Sequence, residues 1–292
     1  MSIDTYEVPL RSQLSLVKSG KLKRVRQPRA TSLSADRLKL LSFNIQAGIG
    51  TSKFSEYITG SWKHLVAAKD SRQNIEQIAD VLRGYDLVAL QEVDGGSHRS
   101  QFINQLVHLA NEGDFPFWHQ QLNRNLGNWG QFSNGLLSRM VPYSVEDYRL
   151  PGLPGRGAFV AKYGHPDMPL VVVGVHLALG EKRRTEQLAF LSKQLKKYRH
   201  VIIMGDFNCT AEEVGASPLA TLNLKVLDSG HATYPSWSPE KHLDHIVLSD
   251  DLKVTQTEVL SDCQLSDHLP IETEIWVPDD VRAASLEAAD KS

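Results

Sequence analysis

The stretch Val201-Ile202-Ile203-Met204-Gly205-Asp206-Phe207-Asn208 decides how this chain is read. Its four apolar residues form a short run that reads as a strand. The run ends in an acid and an amide two residues apart. Strand side chains repeat every two residues, so Asp206 and Asn208 can face the same substrate. The same kind of ending recurs at four distant places. Leu41-Ser42-Phe43-Asn44 ends in an amide, Leu90-Gln91-Glu92-Val93-Asp94 in carboxylates and Val173-Gly174-Val175-His176 in an imidazole. Leu265-Ser266-Asp267-His268 precedes the last apolar run. One such ending means little, but five from separate parts of the chain indicate a shared site at one rim of the sheets.

Outward from these ends, strand-like and helix-like segments alternate. Further strands are expected near residues 38–43, 86–90, 135–137, 158–161, 170–175, 244–248, 254–259 and 271–276. Ile75, Ile78, Ala79 and Leu82 follow the i, i+3, i+4, i+7 spacing of one helix face, predicting a helix over 71–83. Asp70 or Ser71 would cap its start and Gly84 would end it. A second helix is expected over 101–110. A third, over 181–197, carries Leu188, Leu191 and Leu195 on one side. Many strands and few helices predict two facing sheets with helices outside. One domain is expected over 37–277, after a basic leader (1–36) and before a polar tail (278–292).

Composition narrows the function. Of the 292 residues, 41% are hydrophobic and 23% charged, an ordinary globular balance. No apolar run approaches the roughly 20 residues of a bilayer span, and the first sixteen residues lack a secretory core, so a cytoplasmic location is the default. The net charge of -2 does not suit a protein that coats nucleic acid, so such contact must be local. Lys18, Lys21, Lys23, Arg24, Arg26 and Arg29 form one basic stretch without acids. It reads either as a solvated leader or as an arm for phosphates or an anionic membrane surface. The two cysteines form no metal or redox motif, and neither a P-loop nor a serine-hydrolase elbow is present. His64, His98, His119 and His231 read as surface or packing residues, and Cys209 as a small buried neighbour of the Asp206-x-Asn208 pair.

The residue types suit one chemistry. A phosphate ester resists attack because its oxygens are negative. A hard cation held by carboxylates neutralises that charge. An Asp can align or deprotonate the attacking water, and Asn and His can donate to the phosphoryl oxygens.

Six segments carry a family resemblance. They are Ser42-Phe43-Asn44, Leu90-Gln91-Glu92-Val93, His176-Leu177, Gly205-Asp206-Phe207-Asn208, Leu243-Asp244-His245-Ile246 and Ser266-Asp267-His268-Leu269-Pro270. They resemble those of the endonuclease/exonuclease/phosphatase superfamily, in that family's order, over roughly residues 38–276. The resemblance implies a four-layer α/β sandwich of two mixed sheets with helices outside, and phosphoester hydrolysis assisted by Mg²⁺ or Mn²⁺. It implies Glu92 as the main metal ligand, with Asn44 beside the metal and Asp267 close to it. Asp206 would align the attacking water and Asn208 would contact the phosphate. His268 would bind phosphate or transfer a proton, with its ring oriented by Asp244, and His176 would be the second histidine. The stretch from Asn123 to Arg139 also resembles the superfamily. Asn134 is expected to face the site. Arg124 and Arg156, with Arg99 and Trp129, are expected to shape substrate access. Gln46 departs from the abasic-site repair members, which carry Asp there, and this argues against that subgroup.

The expected activity is therefore metal-dependent hydrolysis of phosphodiesters, first of all in nucleic acid and endonuclease-like. Two alternatives stand beside it: a phospholipid head-group or phosphoinositide hydrolase, and a non-catalytic phosphoester-binding module. No obligate protein partner is inferred.

Overall fold

The computed structural model describes residues 4–7, 36–48, 67–97, 100, 102–125, 130–152 and 154–282. Among them the chain begins with β1 (Asp4–Glu7), β2 (Arg37–Asn44), α1 (Ala67–Leu82), β3 (Leu87–Asp94), α2 (Gln105–Glu112), β4 (Phe117–Asn125) and β5 (Gln131–Ser138). It continues through β6 (Ser144–Arg149), β7 (Gly157–Tyr163), β8 (Leu170–His176), α3 (Glu181–Leu195), β9 (His200–Asp206) and α4 (Ala211–Gly215). It closes with β10 (Leu224–Val226), β11 (Asp244–Ser249), β12 (Val254–Val259) and β13 (Ile271–Trp276).

These strands form two mixed sheets. One has the order β1-β6-β7-β8-β9-β11-β10, the other β12-β13-β2-β3-β5-β4. Each contains one parallel pair, β8 with β9 and β2 with β3, and every other pairing is antiparallel. A parallel pair needs a crossover between its strands. Helix α3 lies between β8 and β9 in the chain, and α1 between β2 and β3.

The apolar runs look continuous because both faces of the central strands are covered. In β9, Ile202 and Met204 point to the core between the sheets, while Val201 and Ile203 join the outer cluster with Leu188, Leu191 and Leu195 of α3. In β2, Leu38 and Leu40 face the central core, and Leu41 and Phe43 face Ile75, Ile78 and Leu82 of α1. Three apolar layers thus separate helix, sheet, sheet and helix, which is the expected four-layer sandwich. Among the described residues no helix is long and apolar enough to cross a membrane.

Several local expectations change. Helix α1 starts at Ala67, so Asp70 and Ser71 lie inside it rather than at its cap. Helix α2 starts at Gln105, where the Asn104 side chain accepts from the Val107 N–H. The sequence reading missed β4, β6 and β10. Strand β4 (FWHQQLNRN) has polar residues on both faces, and buried Gln121 faces inward because it donates to the carbonyls of Tyr148 and Ala158. Residues 4–7, within the stretch read as a leader, pair with β6. The basic stretch and Arg99 and Trp129 lie outside the described residues. At the other end Val281 is buried, and Asp280 accepts from Arg199 at 3.0 Å and contacts His200 at 3.2 Å.

Candidate active site

The two parallel pairs end at the same rim. Asn44 closes β2, and Glu92 sits near the end of β3 where the β3–β5 register shifts. Glu92 has φ 57, so the backbone bulges and aims its carboxylate out of the sheet. The loop after it is held by Asp94. That buried carboxylate accepts from the N–H groups of Gly96 and Ser97 and from the hydroxyls of Ser97 and Ser100, at 2.6–3.0 Å. In the facing sheet His176 closes β8 and Asp206 closes β9, directly opposite each other. Asp244, the first residue of β11, pairs with Asp206 from the other side.

Asp206 is at the centre. Its Oδ2 accepts from Asn44 Nδ2 at 3.2 Å and its Oδ1 from the Asn208 N–H at 2.9 Å. Oδ2 lies 3.4 Å from His176 Nε2 and 3.9 Å from His268 Nε2. His268 is oriented through its other nitrogen, with Nδ1 at 2.7 Å from Asp244 Oδ2. The Thr233 hydroxyl donates to the same oxygen at 2.6 Å, and the Tyr234 ring packs on the His268 ring with centroids 4.8 Å apart. Neither Thr233 nor Tyr234 was singled out from sequence, since their roles depend on a loop that returns to the rim. Glu92 Oε1 lies 3.9 Å from His176 Nε2, and Arg156 Nη1 lies 2.7 Å from that nitrogen. The Asp267 carboxylate accepts from the Ser266 hydroxyl.

The remaining candidates take other positions. Asn208 donates its amide to the Leu177 carbonyl at 3.0 Å. Asn134 is buried and donates to Gln121 Oε1 and to the Gly157 carbonyl, which ties β5 to the opposite sheet. Its buried Oδ1 has no partner among the described residues. Arg124 is exposed at the end of β4. A cleft of about 440 Å³ beside the rim is lined by Glu92, Arg124, Asn134, Arg156 and His176, among others.

Burial and charge set the protonation states. Burial raises the Asp206 carboxyl, and the nearby Asp244 carboxylate adds to it, up to about 7. Burial opposes charge on His268, but Asp244, Asp206 and Asp267 outweigh it and hold the imidazolium up to about 10. His176 is pushed well below its usual range by burial and then by the Arg156 and His268 charges. Burial, with Glu92 nearby, raises Asp267 against the pull of His268. The two imidazoles are thus pushed in opposite directions, His268 toward the cation and His176 toward the neutral ring.

A divalent cation fits this acid-rich end. Among the described residues, Glu92, Asp206, Asp244 and Asp267 outnumber their cationic neighbours Arg156 and His268, and the buried Asp244 Oδ1 has no hydrogen-bond donor. Asp206, Asp244 and His268 bring ligand atoms within 4.8 Å of one another. The hydrogen bond to Asp244 uses one nitrogen of His268, however, and an imidazolium has no lone pair to give. Glu92 and Asp267 raise no such objection.

The comparisons with known proteins agree with the fold. An endonuclease/exonuclease/phosphatase from Beutenbergia cavernae superposes with a TM-score of 0.64 at 19% identity, covering 83% of this chain and 72% of that one. The mannosyl-6-phosphatase of Bacteroides thetaiotaomicron gives 0.59 at 18%, covering 82% and 100%. Truncated TDP2 of Caenorhabditis elegans gives 0.57 at 15%, covering 82% and 98%. No curated protein matches the chain in sequence. Residues 41–268 match the model of the Endonuclease/Exonuclease/phosphatase family and contain the whole rim from Asn44 to His268, so the chain belongs to that family.

Proposed function

We propose that this protein hydrolyses phosphodiester bonds with a divalent cation, Mg²⁺ or Mn²⁺, and that its substrate is nucleic acid. The observation that carries the reading is the place of Asp206, a buried carboxyl with Oδ2 3.4 Å from His176 Nε2 and 3.9 Å from His268 Nε2, which burial raises above the usual carboxylate range. Such a group can take a proton from water near neutral pH. Asn44 and the Asn208 N–H hold its two oxygens in place. His268, fixed by Asp244, holds a proton at Nε2 for a phosphoryl oxygen or the leaving oxygen. Glu92 and Asp267, with Asn44 beside them, would hold the cation, which when bound supplies charge neutralisation at the phosphate.

The test uses purified protein with single- and double-stranded DNA, and with bis(p-nitrophenyl) phosphate as a minimal diester. DNA cleavage that EDTA abolishes and Mg²⁺ or Mn²⁺ restores is the expected result. Turnover of the minimal diester without DNA cleavage would instead favour phospholipid head groups or phosphoinositides. Tight phosphoester binding without any turnover would favour a binding module.

Thr233 gives a second check on the same site. With Thr233→Val the hydroxyl bond to Asp244 is lost, while the His268 bond remains. Loss of an orienting contact of this kind lowers activity by about tenfold or more. The fall is expected in kcat rather than KM, read from steady-state kinetics on the minimal diester.

A further inference from the structure

Past His176 the cleft runs between the end of β4, the β6–β7 loop and the start of α3. The loop is held at both ends. The Leu150 N–H donates to the Arg156 carbonyl at 3.3 Å, and Gln187 Nε2 donates to the Pro151 carbonyl at 3.0 Å. Gly152 and Gly155 have φ of +112 and +113, which glycine adopts without strain. Arginine stems pass over both glycines. A Cβ on Gly152 would stand 3.4 Å from Arg183 Cδ, and one on Gly155 would stand 3.6 Å from Arg124 Cδ. Arg156 belongs to the loop itself. Three arginine side chains therefore gather around one loop, and all three line the cleft.

Their charges are not balanced alike. Arg156 feels Asp206 and Glu92 of the rim. Arg183 gives Nη1 to Glu186 at 2.7 Å and keeps the rest of its fork. Arg124 makes no ion pair with any described residue and its side chain is exposed. Phe132 and Leu179 add apolar side chains to the lining of the same cleft. The cleft of about 440 Å³ is at the small end for a ligand site, suited to one nucleotide unit rather than a duplex.

We infer that this cleft is a second phosphate subsite, in which Arg124 and Arg183 hold the phosphate next to the scissile one on a single nucleotide strand. The inference rests on the phosphodiesterase reading and names the part of the substrate that reading leaves open. An isolated diester would reach the rim and leave both guanidinium forks unused. A strand places its next phosphate one nucleotide away, where each fork can make charge-assisted bonds to it.

Calorimetric binding in Mg²⁺ tests this with thymidine 3′,5′-bisphosphate against the 3′- and 5′-monophosphates, each ligand recovered afterwards and checked for integrity. Charge-assisted bonds of this strength predict that the bisphosphate binds about tenfold or more tighter than either monophosphate. The double variant Arg124→Gln, Arg183→Gln should lose most of that advantage, and Arg124→Lys, Arg183→Lys should retain part of it. Thermal melting by circular dichroism verifies that both variants are folded. Equal affinity for mono- and bisphosphates in the native protein would overturn the inference. So would an advantage that survives the glutamine variant. An inositol bisphosphate that binds more tightly than the thymidine bisphosphate, and weakens in that variant, would overturn the assignment to a nucleotide strand. Turnover of DNA and of bis(p-nitrophenyl) phosphate, both measured alongside, separates the two claims. A bisphosphate advantage without turnover supports the subsite and sinks the hydrolase reading. Turnover without an advantage does the reverse.

Discussion

Asp206→Asn lowers kcat by about a hundredfold or more, the size seen when a preorganised polar group is removed from a reacting centre. Asparagine keeps the shape and one acceptor oxygen, so the Asn44 contact can persist while the proton acceptor is gone. Stability should move the opposite way. The native carboxyl is raised to about 7, first by burial and then by Asp244. A carboxyl raised above its unfolded value of about 3.9 contributes stability that is fully present at low pH. That contribution is lost as pH rises through the folded value. In EDTA the variant should therefore be more stable than the native protein at pH 8, and the difference should vanish below about pH 4. Urea midpoints at the two pH values check this, beside the rate on the minimal diester. An unchanged rate would place the measured turnover elsewhere, and a variant less stable at pH 8 would mean that Asp206 is held as a favourable carboxylate.

Gly205→Ala should be the most damaging single methyl in the structure. A Cβ there would lie 2.0 Å from the Val175 carbonyl oxygen, and Gly205 has φ +154. The clash is with backbone of the neighbouring parallel strand, which no rotamer change relieves. Gly205 and Val175 are paired in the β8–β9 register, one residue before His176 and Asp206. The methyl must push these strands apart at the point where they present the site. A loss of about 3 kcal/mol or more is expected, at the upper end for overpacking, because backbone rather than side chain must yield. The urea midpoint would fall with little change in slope. Activity of any folded fraction would fall too. A midpoint within error of the native one would show that the β8–β9 pairing there has slack.

Much of this molecule is legible in the residues. The runs ending at Asn44, Glu92, His176 and Asp206 can be read as strands because sheet packs on one face and helix on the other, which leaves few polar positions inside them, Ser42 and Gln91 among these. Their polar ends stand out because an acid, amide or imidazole directly after such a run has no place in the core. The i, i+3, i+7 spacing of Ile75, Ile78 and Leu82 located α1, although not its first turn. Strand β4 escaped because its buried Gln121 is satisfied by carbonyls of the other sheet, so its pattern looks like surface.

The sequence by itself determined the layered α/β class and the set of groups available at the rim, which follow from apolar periodicity and from residue types at strand ends, while the six motif segments carried the family resemblance. Only the tertiary structure decided where each group stands and what it stands beside. Which histidine carries charge depends on Asp244 standing 2.7 Å from His268 and on Arg156 standing 2.7 Å from His176. The neutral tendency of Asp206 comes from burial beside a second carboxylate across the β9–β11 pairing. The ties from Thr233 and Asp94, and the gathering of Arg124, Arg156 and Arg183 around one loop, join residues far apart in the chain. Electrostatic and hydrogen-bond energies fall off over a few ångströms, so these roles exist only once the fold has closed those distances.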